Sequence, residues 1–335
     1  MRQFFPASAL SSAELAPASR LSSLRSGLLA WSALHRRDFP WRQTRNPWAV
    51  LVSEIMLQQT QTARVIPRYS AFLAAFPNPR ACAAASVGDV LREWAGLGYN
   101  RRAANLHAAA VVLRDDYDGS VPMRLEDLLT LPGVGPYTAR AVLVFAFEQH
   151  HGVVDVNAGR VFARAVAGRS LRNKEAQELA DQMVPVGAAW EWNQAILDLG
   201  ATICVKHNPA CGECPVRKAC AWRVCSSQNM PQATETEAAD AADATDDPAA
   251  ASAAAGKLQS RFAGSDRQIR GRIVDRLRQG PVPLPLLAES LAENLAENLT
   301  GSKGVAADPL RVRRLLDGLF RDGLVVCEND IVRLP

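Results

Sequence analysis

Apolar residues recur at intervals of three and four along residues 21–223 of this chain. Leu91, Trp94 and Ala95 show this spacing in one stretch, and Val142 and Phe145 show it in another. Such spacing places one apolar face on a helix. No stretch of this region alternates apolar and polar residues as a half-buried strand does. The pattern therefore predicts a mainly α fold over residues 21–225, after a flexible amino terminus of residues 1–20.

The pattern changes after residue 225. Residues 226–264 are rich in Ala, Asp, Thr and Ser, a composition that predicts a disordered linker. Periodicity returns in residues 265–335. The expected elements there are helices over Ile269–Leu277, Leu284–Leu299 and Val312–Phe320, and a hairpin of Leu324–Val326 and Ile331–Leu334. Three helices and a hairpin predict a small winged-helix-like domain, a fold that binds either DNA or proteins.

Length and charge narrow the class of protein. The chain has 335 residues, of which 48% are hydrophobic, enough for two domains with a real core. Residues 224–256 hold six carboxylates and no Lys or Arg, so a net charge of +4 for the chain becomes +10 without them. A basic body suggests an anionic partner. No apolar run is long enough to span a bilayer and no secretory signal is recognisable, so we expect a cytoplasmic protein without a membrane partner.

Four clustered cysteines indicate a metal centre. Cys204, Cys211, Cys214 and Cys220 have the spacing C-x6-C-x2-C-x5-C. Four thiolates in one loop can hold an iron–sulfur cluster or zinc. Zinc sites are more often two well separated CxxC pairs, so the spacing favours a cluster, with zinc, disulfides or free thiols as alternatives. The loop also carries Lys206, Arg217, Lys218 and Arg223, a basic rim suited to a polyanion.

A glycine-containing turn lies between two predicted helices. Leu131–Gly135 reads Leu-Pro-Gly-Val-Gly, and Pro136 suits the first position of a helix. The two glycines permit a sharp turn, and backbone N–H groups at a helix start attract anions. Gly133 and Gly135 are therefore candidate phosphate-binding residues of a helix-hairpin-helix, although such a turn by itself is common.

Two carboxylates are candidates for catalysis. Asp155 follows the apolar pair Val153-Val154, where it is expected to cap the next helix and, held by backbone N–H groups, to stay ionised. Glu54 shares one helix face with Gln58 and Gln61. Taken alone, that face has the ordinary interpretation of a solvated polar surface.

Together these segments resemble the helix-hairpin-helix DNA glycosylases with an iron–sulfur loop, and most closely the adenine DNA glycosylases of the MutY type. The similarity covers roughly residues 24–220. The matching segments are Pro40–Arg42, Ser53–Gln61, Gly96–Tyr99, Leu131–Gly135, Asp155 with Asn157, and the four cysteines. The resemblance implies a helix-hairpin-helix glycosylase fold with a [4Fe–4S] cluster in the loop 204–220.

The resemblance also implies an activity. The expected reaction is hydrolysis of the N-glycosidic bond of adenine mispaired with 8-oxoguanine or guanine, in base excision repair, after the base is flipped out. Glu54 would protonate the adenine, Asp155 would stabilise the cationic sugar, and Tyr137 and Asn157 would orient Asp155 and water. In the bifunctional branch a lysine stands where this chain has Tyr137, so a monofunctional enzyme is expected.

Further residues receive roles by the same resemblance. Gln58 and Tyr99 would wedge into the base stack beside the lesion. Trp41, Arg42 and Gln194 would lie near the adenine pocket, with core packing, a phosphate contact and a helix-surface position as their respective alternatives. The expected partner is double-stranded DNA containing A·8-oxoG or A·G, bound by a monomer in the bacterial nucleoid.

Two other functions stay open at this point. One is a thymine glycosylase of the same superfamily acting on T·G mismatches, and the other is a non-catalytic iron–sulfur DNA-binding protein. Family members usually carry a longer carboxyl-terminal domain that helps to read 8-oxoguanine. The short winged-helix-like segment here leaves the preference for 8-oxoguanine undetermined.

Overall fold

The computed structural model describes residues 17–223, 247–250, 252, 261–287 and 309–335. The chain forms two compact units. The first comprises Met1–Asp38 and Ala139–Lys257, and the second comprises Phe39–Thr138 and Leu258–Pro335. None of the helices in the described ranges is long and apolar enough to cross a bilayer.

Helices account for almost all regular structure of residues 17–223, as the periodicity predicts. They are α1 (Ala18–His35), α2 (Pro47–Leu57), α3 (Thr62–Ala75), α4 (Pro79–Ala84), α5 (Val87–Glu93), α6 (Arg101–Asp116), α7 (Leu125–Thr130), α8 (Pro136–Phe147), α9 (Val156–Val161), α10 (Asn173–Met183) and α11 (Ala189–Thr202). Short 3₁₀ turns occur at Pro40–Arg42, Cys211–Glu213 and Arg217–Ala219, and Phe162–Ala167 is a π-helix.

In the first unit, α1 packs on α11, and α11 packs on α9. The helix α1 begins at Ala18, inside the segment predicted to be a flexible terminus. That boundary is wrong because Arg20 anchors the helix start: its guanidinium donates to the carbonyl oxygens of Ala165, Val166 and Ala219 at 2.8–3.2 Å. Five N–H groups on one side chain can hold several segments at once.

The predicted linker also contains an ordered turn. Ala249 and Ser252 are buried in the first unit, and the Ser252 hydroxyl accepts a hydrogen bond from the Leu171 amide at 3.1 Å. Asp247 forms an ion pair with Arg164 at 2.5 Å. Composition did not reveal this turn, because two small residues and one aspartate look the same in an ordered or a disordered segment. The remainder of the predicted linker up to residue 260 lies outside the described residues.

The second unit contains α2 to α7 and the carboxyl-terminal segment. Nearly all of α2 is buried, including Trp48, whose indole N–H donates to the Phe76 carbonyl at 2.9 Å. The packed core between α3, α5 and α6 includes Phe72 and Trp94, which meet edge to face at 6.0 Å. Aromatic pairs of this geometry add to the stability gained from apolar burial.

The carboxyl-terminal segment forms α12 (Asp266–Arg278), α13 (Pro309–Arg321) and a three-stranded antiparallel sheet of β1 (Val282–Pro283), β2 (Val326–Glu328) and β3 (Ile331–Arg333) in the order β1-β3-β2. The predicted helices at 269–277 and 312–320 and the hairpin are confirmed. The two-residue strand β1 was not predicted, because it is too short to show alternation. Most of the predicted helix Leu284–Leu299 lies outside the described residues.

Candidate active site

The helix α2 carries Glu54 into the interior of the second unit. Asn46 caps its start by accepting from the Ala49 amide at 3.0 Å, and Pro47 occupies the first helical position. Glu54 is only 5% exposed, so the solvated-face interpretation is wrong for this residue. A carboxyl group buried this deeply in an otherwise apolar helix needs a reason, because burial of a charge is costly.

Gln58 joins the end of α2 to the predicted phosphate-binding turn. Its side-chain amide donates to the Gly133 carbonyl at 3.3 Å and to the Thr138 hydroxyl at 3.2 Å. Gly133 lies in the turn itself, and Thr138 lies in the first turn of α8. Two candidates from distant parts of the sequence are thus brought into contact, and the position of Glu54 on α2 is fixed relative to the turn.

The turn needs glycine at Gly133, where φ is +78° and an added Cβ would lie 2.8 Å from the Cβ of Asn105. At Gly135 φ is not in the left-handed range, and a Cβ would meet nothing within 4 Å. Gly135 therefore stands at an open surface, as an approaching phosphate requires. Tyr137 is the second residue of α8, directly after this turn.

Arg102 is a central residue of the second unit that the sequence did not reveal. Its guanidinium donates to the carbonyl oxygens of Ile55, Met56 and Gln58 at 2.9, 2.8 and 2.5 Å. These carbonyls end α2, so Arg102 supplies both hydrogen bonds and positive charge to a helix terminus. Burial lowers the pKa of Arg102 to about 10, which still leaves it charged at neutral pH.

The second terminal nitrogen of Arg102, Nη2, supports the Gly96–Tyr99 loop. It donates to the Leu97 and Gly98 carbonyls at 3.2 and 3.1 Å, and its guanidinium lies 5.4 Å from the Tyr99 ring centroid. Tyr99 has φ of +47°, an unusual value for a non-glycine residue. Backbone strain of this kind is often found at functional positions.

Trp41 and Arg42 lie on the 3₁₀ turn Pro40–Arg42. Trp41 is 7% exposed, stacks on Phe39 at 5.0 Å and meets Tyr69 edge to face at 5.6 Å, so it takes part in core packing. The Arg42 guanidinium lies over the Phe39 ring at 5.0 Å. These contacts favour the packing alternative for Trp41, and its predicted contact with the base stays a prediction.

Asp155 and Asn157, two further candidates from the sequence, lie in the first unit. Asp155 caps α9, as predicted: its carboxylate accepts from the amides of Asn157 and Ala158 at 2.8 and 2.7 Å and from the Asn157 side chain at 3.0 Å. Burial raises the pKa of Asp155, whereas these hydrogen bonds and the nearby charge of Arg160 act in the opposite direction. Both carboxylate oxygens accept at least one of these hydrogen bonds, which fixes the orientation of the carboxylate.

Arg160 connects this cap to the cysteine loop. Its guanidinium donates to the Asn157 side-chain oxygen at 2.8 Å, the Gly200 carbonyl at 2.6 Å and the Cys204 carbonyl at 2.7 Å. Gly200 permits the close contact of α11 with α9, because a Cβ there would lie 2.8 Å from the Asn157 carbonyl oxygen. Asn157 is therefore fixed on two sides. Gln194, also on α11, is 4% exposed, so the helix-surface alternative is wrong for it.

The four cysteines line one pocket. Cys204, Cys211, Cys214 and Cys220 all contribute to its wall, and none forms a disulfide. Burial raises the pKa of Cys204, Cys214 and Cys220, that of Cys214 to about 12. No group of three or more His, Cys, Asp or Glu side chains within the described ranges is arranged to hold a single metal ion.

Arg164 supplies positive charge beside this pocket. It donates to the Cys204 sulfur at 3.6 Å and to the Val205 carbonyl at 2.7 Å, and it pairs with Asp247. Its side chain is 2% exposed. Burial opposes its charge, but the bonds to Asp247 and Cys204 outweigh burial and raise the pKa of Arg164. Neither Arg160 nor Arg164 stood out in the sequence, because each looks like an ordinary helix-surface arginine.

Comparison with known proteins agrees with this arrangement. Residues 52–185 match the HhH-GPD superfamily of base excision DNA repair proteins. A thermostable thymine-DNA glycosylase of known structure superposes with a TM-score of 0.57 at 31% identity, over 61% of this chain and 96% of that chain. A trapped endonuclease III–DNA covalent intermediate superposes with a TM-score of 0.55 at 21% identity, over 61% of this chain and 95% of that chain. The matched residues thus have the fold of the HhH-GPD superfamily of base excision DNA repair proteins.

Sequence similarity defines the family further. An adenine DNA glycosylase from Mycolicibacterium smegmatis is 39% identical over 302 residues, which are 89% of this chain and 91% of the relative. This chain belongs to the adenine DNA glycosylases. The fold class and the type of enzyme expected from the sequence are therefore confirmed.

Proposed function

We propose that this protein removes adenine from A·8-oxoG and A·G mispairs in double-stranded DNA and leaves the strand unbroken. The observation that carries the proposal is the burial of Glu54 on a helix whose end is attached, through Gln58, to the phosphate-binding turn. A buried carboxyl group favours its protonated form, which a general acid needs.

The reaction breaks the bond between the sugar C1′ and the adenine nitrogen. Glu54 donates its proton to the extruded base, so that the electron pair of the broken bond leaves with a neutral adenine. Asp155 accepts three N–H donors that oppose the effect of burial on its pKa, and in its ionised form it stabilises the positive charge that develops on the sugar. Water then bonds to C1′ and gives up a proton. Two carboxyl groups in different environments thus take opposite protonation states.

Tyr137 supports the monofunctional part of the proposal. A Schiff base with the sugar requires an amine, and a phenol cannot form one. At the second position of α8 it follows the phosphate-binding turn directly, where the bifunctional branch has its lysine. The product is accordingly an abasic site in an intact strand.

The cysteine pocket fits a [4Fe–4S] cluster. Four thiol groups line it, free of disulfides, and the positive charges of Arg160 and Arg164 act on Cys204. A bound cluster would cross-link the loop 204–220 and offset the cost of keeping buried thiols deprotonated. Base hydrolysis involves no change of oxidation state, so we assign the cluster a structural role.

Base-release assays on A·8-oxoG, A·G and T·G duplexes test the proposed substrate. We expect adenine release from the first two, strand breaks only after alkali treatment, and no covalent enzyme–DNA product with borohydride. Strand breaks without alkali would disprove the monofunctional proposal. The T·G duplex is included because the superposed thymine-DNA glycosylase shares 31% identity with this chain. Release of thymine without release of adenine would favour that alternative.

The variant Glu54→Gln tests the role of the buried acid. The change keeps the size of the side chain, so mispair binding should survive, while single-turnover base release should fall by about 10²–10⁴-fold. Glu126→Gln is a matched control, because Glu126 is 74% exposed and belongs to no candidate site. Wild-type turnover by Glu54→Gln would disprove the mechanism.

Metal analysis tests the cluster. We expect about four iron atoms per chain and a brown protein, both lost in Cys214→Ser, and both retained in Cys82→Ser, which changes a buried cysteine away from the pocket. One zinc atom per chain in a colourless protein would instead support a zinc centre.

A further inference from the structure

The segment His151–Asp155 of the first unit joins α8 to α9 without regular secondary structure. It ends at Asp155, the carboxylate to which the proposed function gives the role of stabilising the sugar. Gly152 and Val153 are buried, so their backbone N–H groups need partners. A strand would find such partners in a neighbouring strand. Here they are side chains of two helices, α10 and α11.

Asn193 of α11 binds both ends of the tripeptide 151–153. Its side-chain oxygen accepts from the Val153 amide at 2.7 Å, and its side-chain nitrogen donates to the His151 carbonyl at 2.9 Å. The same nitrogen donates to the Ala189 carbonyl, one turn back on α11, at 2.8 Å. Both N–H groups of the side-chain amide are thus used, and the residue is 2% exposed. A side chain tied to its own helix in this way holds the segment at a fixed place on α11.

Gly152, between the two residues that Asn193 binds, is held by α10. Its amide donates to the Asp181 carboxylate at 2.7 Å, and its carbonyl accepts from the Gln177 side chain at 2.9 Å. Arg140 donates to both oxygens of Asp181 at 2.8 and 3.1 Å, which keeps that carboxylate in place. A Cβ on Gly152 would lie 2.6 Å from the backbone carbonyl carbon of Ala180, so the segment lies directly against α10.

These contacts support Asp155 from the side of the chain that precedes it. The donors that orient its carboxylate, at Asn157 and Ala158, follow it in the chain and belong to α9. They set the direction of the carboxylate relative to α9, whereas the segment 151–153 fixes the backbone that leads into Asp155. Displacement of a catalytic group by about 1 Å can lower a rate by about 100-fold. Support of this backbone therefore bears on the rate.

From these contacts we propose that Asn193 is a positioning residue for base release. Through Val153 and His151 it holds the Asp155 carboxylate where positive charge develops on the sugar. It acts through the backbone of the segment and not by contact with DNA. The proposal rests on the proposed function for the role of Asp155. It differs from a purely structural role because loss of Asn193 slows base release in protein that is folded and has already bound the mispair.

The test is single-turnover release of adenine from an A·8-oxoG duplex by the full chain, with the enzyme in saturating excess. Under this condition the rate constant does not depend on the fraction of enzyme that is folded. Asn193→Ala should lower the rate constant by about 100-fold. The Kd for the same duplex, measured by fluorescence anisotropy, should stay at the wild-type value. A wild-type rate constant in Asn193→Ala would overturn the proposal, and so would a weakened Kd with an unchanged rate constant.

Ser252→Ala is the matched control. Ser252 is 4% exposed, and its hydroxyl accepts from the Leu171 amide at 3.1 Å and donates to the Pro248 carbonyl at 2.7 Å. Its loss leaves a buried amide of the first unit without that acceptor, as loss of Asn193 does, but both of these partners lie outside the segment 151–155. The rate constant of Ser252→Ala should match that of the wild type. An equal fall in both variants would overturn the proposal, because general destabilisation would then explain it.

A conservative variant separates the hydrogen bonds of Asn193 from its packing. Asn193→Asp keeps the size of the side chain, and a buried carboxyl group favours its protonated form, which offers an acceptor for Val153 and one donor. Its rate constant should therefore lie between those of Asn193→Ala and the wild type. Equal rate constants for Asn193→Asp and Asn193→Ala would overturn the proposal. Thermal melting of every variant checks that the fold is kept.

Asp155→Asn is measured in the same assay, so that failure of the proposed function has its own signature. Normal release by Asp155→Asn, or no adenine release by the wild type, would refute the proposed function and this proposal with it. Release that depends on Asp155 but not on Asn193 would refute this proposal alone.

Discussion

Replacement of Arg102 by alanine should destabilise the second unit more than any change to a surface arginine. The Arg102 side chain donates to five backbone carbonyls and to the Thr60 hydroxyl at 2.5–3.2 Å, and the residue is 9% exposed. Alanine leaves these acceptors without a donor in a space that water enters poorly. Each buried acceptor that stays unsatisfied costs about 1–3 kcal/mol. Since some carbonyls will find partners after relaxation, we expect a total loss of about 3–5 kcal/mol.

Urea unfolding at neutral pH measures this loss. The matched control is Arg92→Ala, because Arg92 is half exposed and pairs with Asp89 on the surface of α5. That exposed pair should contribute about 0–1 kcal/mol. Arg102→Lys separates charge from geometry: one ammonium group cannot replace the planar fork, so it should recover less than half of the loss. A loss below about 1 kcal/mol for Arg102→Ala would refute the assignment of Arg102 as the support of the α2 terminus.

Three further outcomes follow from the described contacts. Gly133→Ala should destabilise the protein by about 1–3 kcal/mol in urea unfolding, because Gly133 has a positive φ and an added Cβ would contact Asn105. Gly135→Ala should leave stability unchanged, because a Cβ there meets nothing within 4 Å, and should weaken DNA binding in anisotropy measurements. Burial raises the pKa of Asp155, so the folded protein binds the Asp155 proton more tightly than the unfolded chain does. The free energy of unfolding of the wild type, relative to that of Asp155→Asn, should therefore fall as pH rises from about 4 toward 7. Parallel curves of stability against pH for the two proteins would contradict this. Asp247→Asn should lower the free energy of unfolding by roughly 3 kcal/mol in thermal or urea unfolding, because it leaves the guanidinium of Arg164 buried without its carboxylate. The control is Asp118→Asn, whose side chain is 95% exposed. A loss for Asp247→Asn no greater than that of the control would exclude the proposed role of the Arg164–Asp247 pair.

The helices and the local caps could be predicted because their causes are local. The apolar spacing that defines α5 and α8 lies within the helices themselves, and the cap at Asp155 depends on the next three residues. The turn at Gly133 was predictable for the same reason. Glu54 shows the limit of prediction from local sequence. Its place on a helix face followed from the sequence, but its burial depends on elements far along the chain.

What the sequence could not show is how the functional segments are held. The segment that follows α2 at Gln58, the Gly96–Tyr99 loop and the cysteine loop show no regular apolar spacing, so periodicity says nothing about them. In the structure each is anchored by a buried arginine that donates to backbone carbonyls: Arg102 for the first two loops, and Arg160 and Arg164 for the third.

This mode of anchoring has a physical explanation. A segment that must meet DNA cannot be covered by apolar side chains, because its outer surface has to stay open and polar. One guanidinium on a rigid helix can hold several carbonyls from the inner side, and it adds positive charge close to the surface that meets phosphates. The same argument explains why these arginines are hidden in the sequence: each occupies a position on a helix that, without the loop above it, would read as solvent-exposed. It also predicts that lysine would be a poor substitute at all three positions, since a single ammonium group cannot span two or three carbonyls held at fixed separations.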